Sequence, residues 1–392
     1  MKAKLHLEDL SRYRTELYGF SALWIMFFHA IAKCDLHYDT TLKWLDPLDY
    51  LISLGNSGVE IFFLLSGISL YFLFQKPQNP AAAALGAAGT ASDAESLEGA
   101  DSAHRPGTLS ASTVGLGNFF TKRWIKLAVP SYLVYIPYWL YMWLFDEGTL
   151  RMLACRMSMM NFWMNGEQHI WFVSALIVFS LLYPFIYDYF FGEGVSWKRA
   201  LLRLVIFAGV WIFFMYAFYI RYPNEYDKFE IALIRLPSFV VGCFLGKWVY
   251  EKKELPGYCI ILAFVLCAAG LVVIRLWGLG GFWRRCSYLP LSIVTMLSLA
   301  QIFRWITWKP FHKFFTFLGG MSLELYLCHV VLIRWYMLLP AYENRTIPKY
   351  LLLLVLSVAL AWVVKKVGNV IVRLILGKLF PSKRQPEKQT AA

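Results

Sequence analysis

Among the residues able to do chemistry, the one best placed to move a proton is a histidine in apolar surroundings. His29 closes the run Arg14-Thr-Glu16-Leu-Tyr18-Gly19-Phe-Ser21-Ala-Leu-Trp24-Ile-Met-Phe27-Phe28-His29. A neutral imidazole takes a proton near physiological pH, which suits a general base. On a helix it lies about 22 Å beyond Arg14, at 1.5 Å per residue. The plainer readings are a histidine that packs between helices and an arginine that marks a membrane boundary. A second run, Gly55-Asn-Ser-Gly58-Val-Glu60-Ile-Phe-Phe-Leu-Leu-Ser66-Gly67, brings a carboxylate to similar depth if it enters from the opposite side. Beside an imidazole such a group would fix the tautomer and strengthen the base; otherwise it is an inter-helix hydrogen-bond partner.

Three further groups stand out. Ser322, Tyr326 and His329 fall at i, i+4 and i+7 in Leu318-Gly-Gly-Met-Ser322-Leu-Glu324-Leu-Tyr326-Leu-Cys328-His329, so they line one helix face. Glu324 lies off that stripe, at a depth where a charge does not face lipid. Arg123 and Lys126, at i and i+3, share a face that suits a ligand's phosphates or ordinary topogenic charge. His169-Ile-Trp171-Phe-Val-Ser174 opens another apolar run and is weaker taken alone. The seven cysteines are scattered without a C-x-x-C pair, so no zinc or redox site is read, and no metal ligand is assigned.

The elements that must position these groups are membrane spans. Hydrophobic residues make up 59% of the 392 and charged residues only 16%, too little charge to cover so much apolar surface in water. A span needs roughly 20 mostly apolar residues, and the sequence predicts about ten: 15–34, 50–74, 124–145, 169–190, 201–220, 231–250, 257–276, 287–306, 314–338 and 350–376. The fold class expected is thus an all-α polytopic bundle of about ten transmembrane helices. The stretch 152–165 reads as interfacial or re-entrant. The net charge of +13 is dispersed between apolar runs, which argues for membrane topology and against nucleic acid. Putting both termini in the cytoplasm gives that side the larger share of Lys and Arg, as the positive-inside rule requires. The first apolar run is itself a span, so no cleavable signal is read. Residues 79–117, rich in Ala, Gly and Ser, read as a disordered cytoplasmic loop, and 377–392 as a cytoplasmic tail. The whole of 1–392 is otherwise one membrane domain, with no repeat and no pair of broken helices of the kind transporters show.

In this order the runs resemble acyltransferase family 3, integral-membrane bacterial enzymes that O-acylate sugars and glycans. RTELYGFSALWIMFFH, GVEIFFLLSGISLYF, KRWIKLAVPSY, HIWFVSALIVFSLLYP and LGGMSLELYLCH carry the likeness, with Arg235-Leu-Pro-Ser-Phe-Val-Val-Gly242 a weaker sixth. The resemblance implies a ten-helix core in a bacterial inner membrane and acyl-CoA, expected to be acetyl-CoA, as donor substrate, with no permanently bound cofactor. It implies His29 as the catalytic histidine with Glu60 and Glu324 as its acidic partners. It also implies Arg14, Arg123 and Lys126 at the CoA phosphates, and Ser322, Tyr326, His329 and Trp171 in supporting places. The acceptor would be a sugar hydroxyl, with direct transfer or a transient acyl-enzyme on His, Ser or Cys328 both open. The sequence departs from the family where many members carry an arginine eleven positions before the histidine: here stands Tyr18, or Ser21 if counted from the glycine. Lys126 in place of arginine lacks the bidentate phosphate fork. The competing class is a transporter without acyl-transfer chemistry.

Overall fold

In a bilayer the backbone of these apolar runs must satisfy its own hydrogen bonds, and the helix does so within each segment. A computed structural model of the chain describes residues 4–34, 46–75, 113–145, 148–278, 281–340 and 346–380. In chain order the elements are β1 (Lys4–His6), α1 (Asp9–Arg12), α2 (Arg14–Cys34), α3 (Asp46–Ser53), a 3-10 turn (Leu54–Asn56), α4 (Ser57–Gln75) and α5 (Thr113–Phe145). There follow α6 (Leu150–Met157), α7 (Asn161–Asn165), α8 (Trp171–Phe191), α9 (Trp197–Arg221), α10 (Pro223–Leu233), α11 (Leu236–Tyr250) and β2 (Glu254–Pro256). The chain continues through α12 (Tyr258–Leu276), α13 (Phe282–Cys286), α14 (Tyr288–Trp305), α15 (Lys309–Gly320), α16 (Ser322–Met337) and α17 (Ile347–Leu379).

The protein is all-α and polytopic, apart from one short antiparallel pair of β1 with β2. Among the described residues six helical segments are long and apolar enough to cross a membrane, or seven if the bent pair α15–α16 is one span, against the ten expected. The difference lies in α2, where Arg14, Glu16, His29 and Lys33 interrupt the apolar run, and in α5 and α12. α5 is 33 residues long, but Lys122, Arg123, Lys126, two prolines and a run of Tyr and Trp dilute its apolar character. In α12 the apolar stretch is shorter, Tyr258–Ile274. The expected re-entrant stretch is the helical pair α6–α7. The expected loop lies largely outside the described residues, and its last part, from Thr113, is already the first turn of α5. The expected tail is helical to Leu379; the rest of it lies outside the described residues.

Small residues set the crossings that matter. A Cβ on Gly67 of α4 would fall onto the Phe239 carbonyl of α11, and one on Gly242 onto the Leu64 carbonyl, so these two helices touch backbone to backbone. α4 is central: 78% of its apolar window is buried, against 6% for α9, which turns its side chains to lipid. Gly19 of α2 and Gly319 of α15 approach in the same way, a Cβ on either striking the other helix's backbone. On the face carrying β1 and β2, called proximal here, Glu254 pairs with Lys4 at 2.6 Å and His6 at 3.0 Å, and buried Asp9 accepts from Arg304 at 3.2 Å.

One break was not expected. Between α15 and α16 the chain turns by 69° at Met321, where a single continuous span over 314–338 is predicted. A break frees helix carbonyls that lipid cannot satisfy. Lys365, midway along α17, donates to the Gly320 carbonyl at that point.

Candidate active site

The glycine contact fixes α2 against α15, and the 69° turn then sends α16 back alongside α2. The result joins two residues 300 positions apart: His29 Nδ1 lies 2.8 Å from His329 Nε2. Their rings stack with centroids 5.0 Å apart. His329 is buried, and its Nδ1 lies 2.9 Å from the Leu325 carbonyl one turn back. His29 is only half-buried. Tyr326 packs edge-on to His329 at 5.6 Å and against Phe172 at 4.8 Å. The Trp171 indole lies beside the Tyr326 hydroxyl. Of the residues singled out by sequence, the structure thus gathers His29, His329, Tyr326 and Trp171.

Glu60 goes elsewhere. The expected Glu60–His29 pairing is replaced by an ion pair with Arg235, Nε to Oε1 at 3.3 Å, both side chains sealed at 0% and 1% exposure. Ser238 donates to the other carboxylate oxygen. Arg235 also donates to Asn56 Oδ1 at 3.1 Å and to the Ile231 carbonyl, and its guanidinium lies 5.0 Å over the Trp171 ring. Arg235 can reach so many partners because it occupies the break between α10 and α11, just before Pro237. Among the described residues, Glu60 thus bonds to Arg235 and Ser238 and to neither histidine. Glu324 is half-buried on the first turn of α16, one turn before Cys328, and Ser322 beside it makes no hydrogen bond among the described residues.

The proposed phosphate ligands sit toward the proximal face, half-buried. Arg14 donates through Nη1 to Ser69 Oγ on α4 at 3.0 Å, and Arg123 through Nε to Ser180 Oγ on α8 at 3.3 Å. Each serine passes its own proton to a carbonyl one turn back, Leu65 at 2.7 Å and Leu176 at 2.6 Å. Lys126 lies one turn beyond Arg123, as its spacing requires.

Sequence reasoning left Arg235, Asn56 and Ser238 without a role, and treated Arg156, Asn161 and His169 as features of weak segments. Arg235 had a signal: a carboxylate in an apolar run needs a cation in another, and Arg235 stands alone in Ile-Ala-Leu-Ile-Arg235-Leu-Pro. The second cluster lies at the turn from α7 to α8. Arg156 Nε lies 3.1 Å from both Glu167 oxygens, Asn161 donates to the same carboxylate, and His169 lies against its other side. Burial pushes the Glu167 carboxyl up, but hydrogen bonds and charge from His169 and Arg156 outweigh it and hold the group below the usual carboxylate range. Tyr135 donates to the His169 carbonyl at 2.6 Å, so the cluster pins the α6–α7 cap to α5.

The chain is an all-α membrane bundle with an imidazole pair inside it and Arg14 fifteen residues before His29 on the same helix. A family model described as an acyltransferase domain matches residues 18–366, and the chain belongs to that family, acyltransferase family 3. The match begins four residues after Arg14, so that arginine lies outside it. No curated protein and no solved structure matches the chain.

Proposed function

We propose that this membrane acyltransferase moves an acyl group, expected to be acetyl, from acyl-CoA to a hydroxyl of a cell-surface polysaccharide, a lipid-linked glycan or a similar sugar. The same reading puts it in the inner membrane of a bacterium with both termini cytoplasmic, so the proximal face is the donor side. The observation that carries the proposal is His29 itself, a hydrogen-bonded yet half-open imidazole in the bundle of a chain of this family. CoA phosphates bind at Arg14, Arg123 and Lys126, and the pantetheine arm covers the about 22 Å along α2 to His29. His29 takes the proton of the acceptor hydroxyl, the oxygen attacks the thioester carbonyl, and the carbon–sulfur bond breaks. The proton then passes from His29 to the departing sulfur.

The test is transfer of label from acetyl-CoA to glycan in membranes containing the full chain. The expected result is transfer that His29→Asn lowers by roughly 10²–10⁴, the usual contribution of acid–base catalysis, with normal insertion. Activity of His29→Asn within a few-fold of wild type would remove this histidine from the chemistry. The 69° break favours a second reading, because broken helices build the binding sites of many transporters. Solute uptake without any release of CoA would support that reading and overturn the first.

A further inference from the structure

We infer that His329 is the positioning residue of His29, and that it selects Nε2 of His29 as the atom that takes the proton. The inference rests on the acyl-transfer reading and deepens it. It follows from what each nitrogen faces. A carbonyl oxygen only accepts, so His329 Nδ1, 2.9 Å from the Leu325 carbonyl, must carry a proton and donate it. A neutral imidazole holds one ring proton, which leaves His329 Nε2 as a lone pair. That lone pair faces His29 Nδ1 at 2.8 Å, so His29 Nδ1 must be the donor of this bond. The one proton of neutral His29 is then committed to Nδ1, and its Nε2 is a lone pair. Nε2 makes no hydrogen bond among the described residues, and His29, half-buried, is the less buried member of the pair.

The other assignment fails on burial. A doubly protonated His329 would donate from both nitrogens and force His29 Nδ1 to accept. It would also place a charge at a site 1% exposed, hydrogen-bonded to no carboxylate. The neutral pair satisfies the donor of each ring and leaves one acceptor, His29 Nε2, without a partner among the described residues.

In the reaction the acceptor hydroxyl gives its proton to His29 Nε2. The Nδ1–H of the resulting imidazolium still points at the His329 lone pair, and that bond becomes charge-assisted. His329 thus orients the base and steadies its cation, as a carboxylate does in a hydrolase triad, without a negative charge among apolar helices. When the carbon–sulfur bond breaks, the proton leaves Nε2 for sulfur and the pair returns to its starting state. The proton between His329 and Leu325 does not move. Tyr326, edge-on at 5.6 Å, holds the His329 ring plane.

The experiment uses the full chain in detergent, selectively labelled with ¹⁵N-histidine, with the His29 signals identified by their loss in His29→Asn. Wild type is expected to show His29 protonated on Nδ1 and not on Nε2. His329→Phe fills the site with no acceptor and should free His29 to hold its proton on either nitrogen. It should lower kcat on the order of 10²-fold or more while leaving KM for acetyl-CoA within about twofold, the pattern of a lost tautomer. His329→Gln offers an amide oxygen to Nδ1 and should restore the wild-type tautomer, with kcat within about tenfold of wild type. A wild-type His29 protonated on Nε2 overturns the inference. So does His329→Phe with kcat within a few-fold of wild type, or His329→Gln no better than His329→Phe. Should the chain transfer no acyl group at all, the tautomer and its response to His329→Phe still decide the positioning role, and only the acyl-transfer reading falls.

Discussion

Two polar pairs join distant helices inside this bundle, and they are built on opposite plans. Arg235 and Glu60 carry full charges, are sealed from solvent and are bonded several times over, by Asn56, Ser238 and the Trp171 ring as well as by each other. His29 and His329 carry no charge that the geometry requires, share one bond and leave one end half-open. A buried charge survives only when an opposite charge and polar neighbours answer it, and a group held by so many partners has little left with which to meet a substrate. An imidazole pair costs less to bury and can keep a lone pair free. Depth in the membrane alone, which made Glu60 and His29 look alike as a sequence, therefore does not separate brace from reagent; the completeness of the partners does.

The comparison breaks most sharply at Arg235. Arg235→Leu leaves the Glu60 carboxylate buried beside Ser238 without its cation, and should cost about 3–5 kcal/mol of stability. In detergent the protein should melt far below wild type, or fail to accumulate. The double variant Glu60→Leu with Arg235→Leu removes both charges and should recover most of that loss. If the double variant also recovers acyl transfer, the pair is a brace. Recovery of the fold without activity would give Glu60 or Arg235 a direct part in the chemistry.

Next comes the crossing that aligns the histidines. A Cβ on Gly319 would meet the Thr15 carbonyl, and backbone on both sides leaves it nowhere to go. Gly319→Ala should push α15 from α2 and carry α16 with it. A displacement of about 1 Å at a reacting group can cost on the order of 10² in rate. The expected outcome is a loss of kcat of that order with KM for acetyl-CoA little changed. Turnover equal to wild type would mean that the His29–His329 distance does not depend on this contact.

Arg123→Ala should act more mildly and on the other parameter. If Arg123 holds a CoA phosphate, losing one charge-assisted bond should raise KM for acetyl-CoA by about tenfold, with kcat and melting temperature nearly unchanged. An unchanged KM would leave Arg123 as an anchor on Ser180 and no more.

How far the sequence reaches is visible in the same two pairs. His29, Glu60, Tyr326, His329 and Trp171 could be picked out because a polar or amphipathic group in an apolar run is conspicuous. Their partners could not. His29 meets His329 across 300 positions, through a close approach of Gly19 and Gly319 and a 69° turn. Leu318-Gly-Gly-Met-Ser322 reads as one more stretch of apolar helix by hydropathy, although its Gly-Gly pair followed by Ser322 is itself a breaker signal. The orienting acid expected from residue chemistry was thus assigned by depth, while the tertiary crossing supplied an imidazole. The all-helical membrane character followed from composition. The span count did not, because hydropathy falls in helices rich in Tyr, Trp, Pro and boundary cations such as α5.

The smallest effect belongs to a third cluster, which sharpens the rule that complete partnering marks a brace. Glu167 is answered by Arg156, Asn161 and His169 at the cap formed by α6 and α7, outside the spans, and so should hold structure and leave chemistry alone. Its carboxyl lies below the usual range in the folded chain, because the bonds from His169 and Arg156 outweigh burial. A carboxyl lowered on folding contributes stability that is fully present above its unfolded value of about 4.3 and is lost as pH falls through the folded value. Near neutral pH, Glu167→Gln should cost about 1.5–3 kcal/mol, the range for hydrogen bonds to a charged group, and lower the melting temperature by a few degrees. Below about pH 4.3 wild type loses the same contribution by protonation, so the two melting curves should draw together. Turnover at neutral pH and a temperature well below both transitions should match wild type, since the cluster touches neither histidine. A gap that persists unchanged to pH 3 would show that Glu167 acts by shape and not by charge. A fall in kcat at equal foldedness would make the cap part of the acceptor site, and complete partnering would no longer separate braces from reagents.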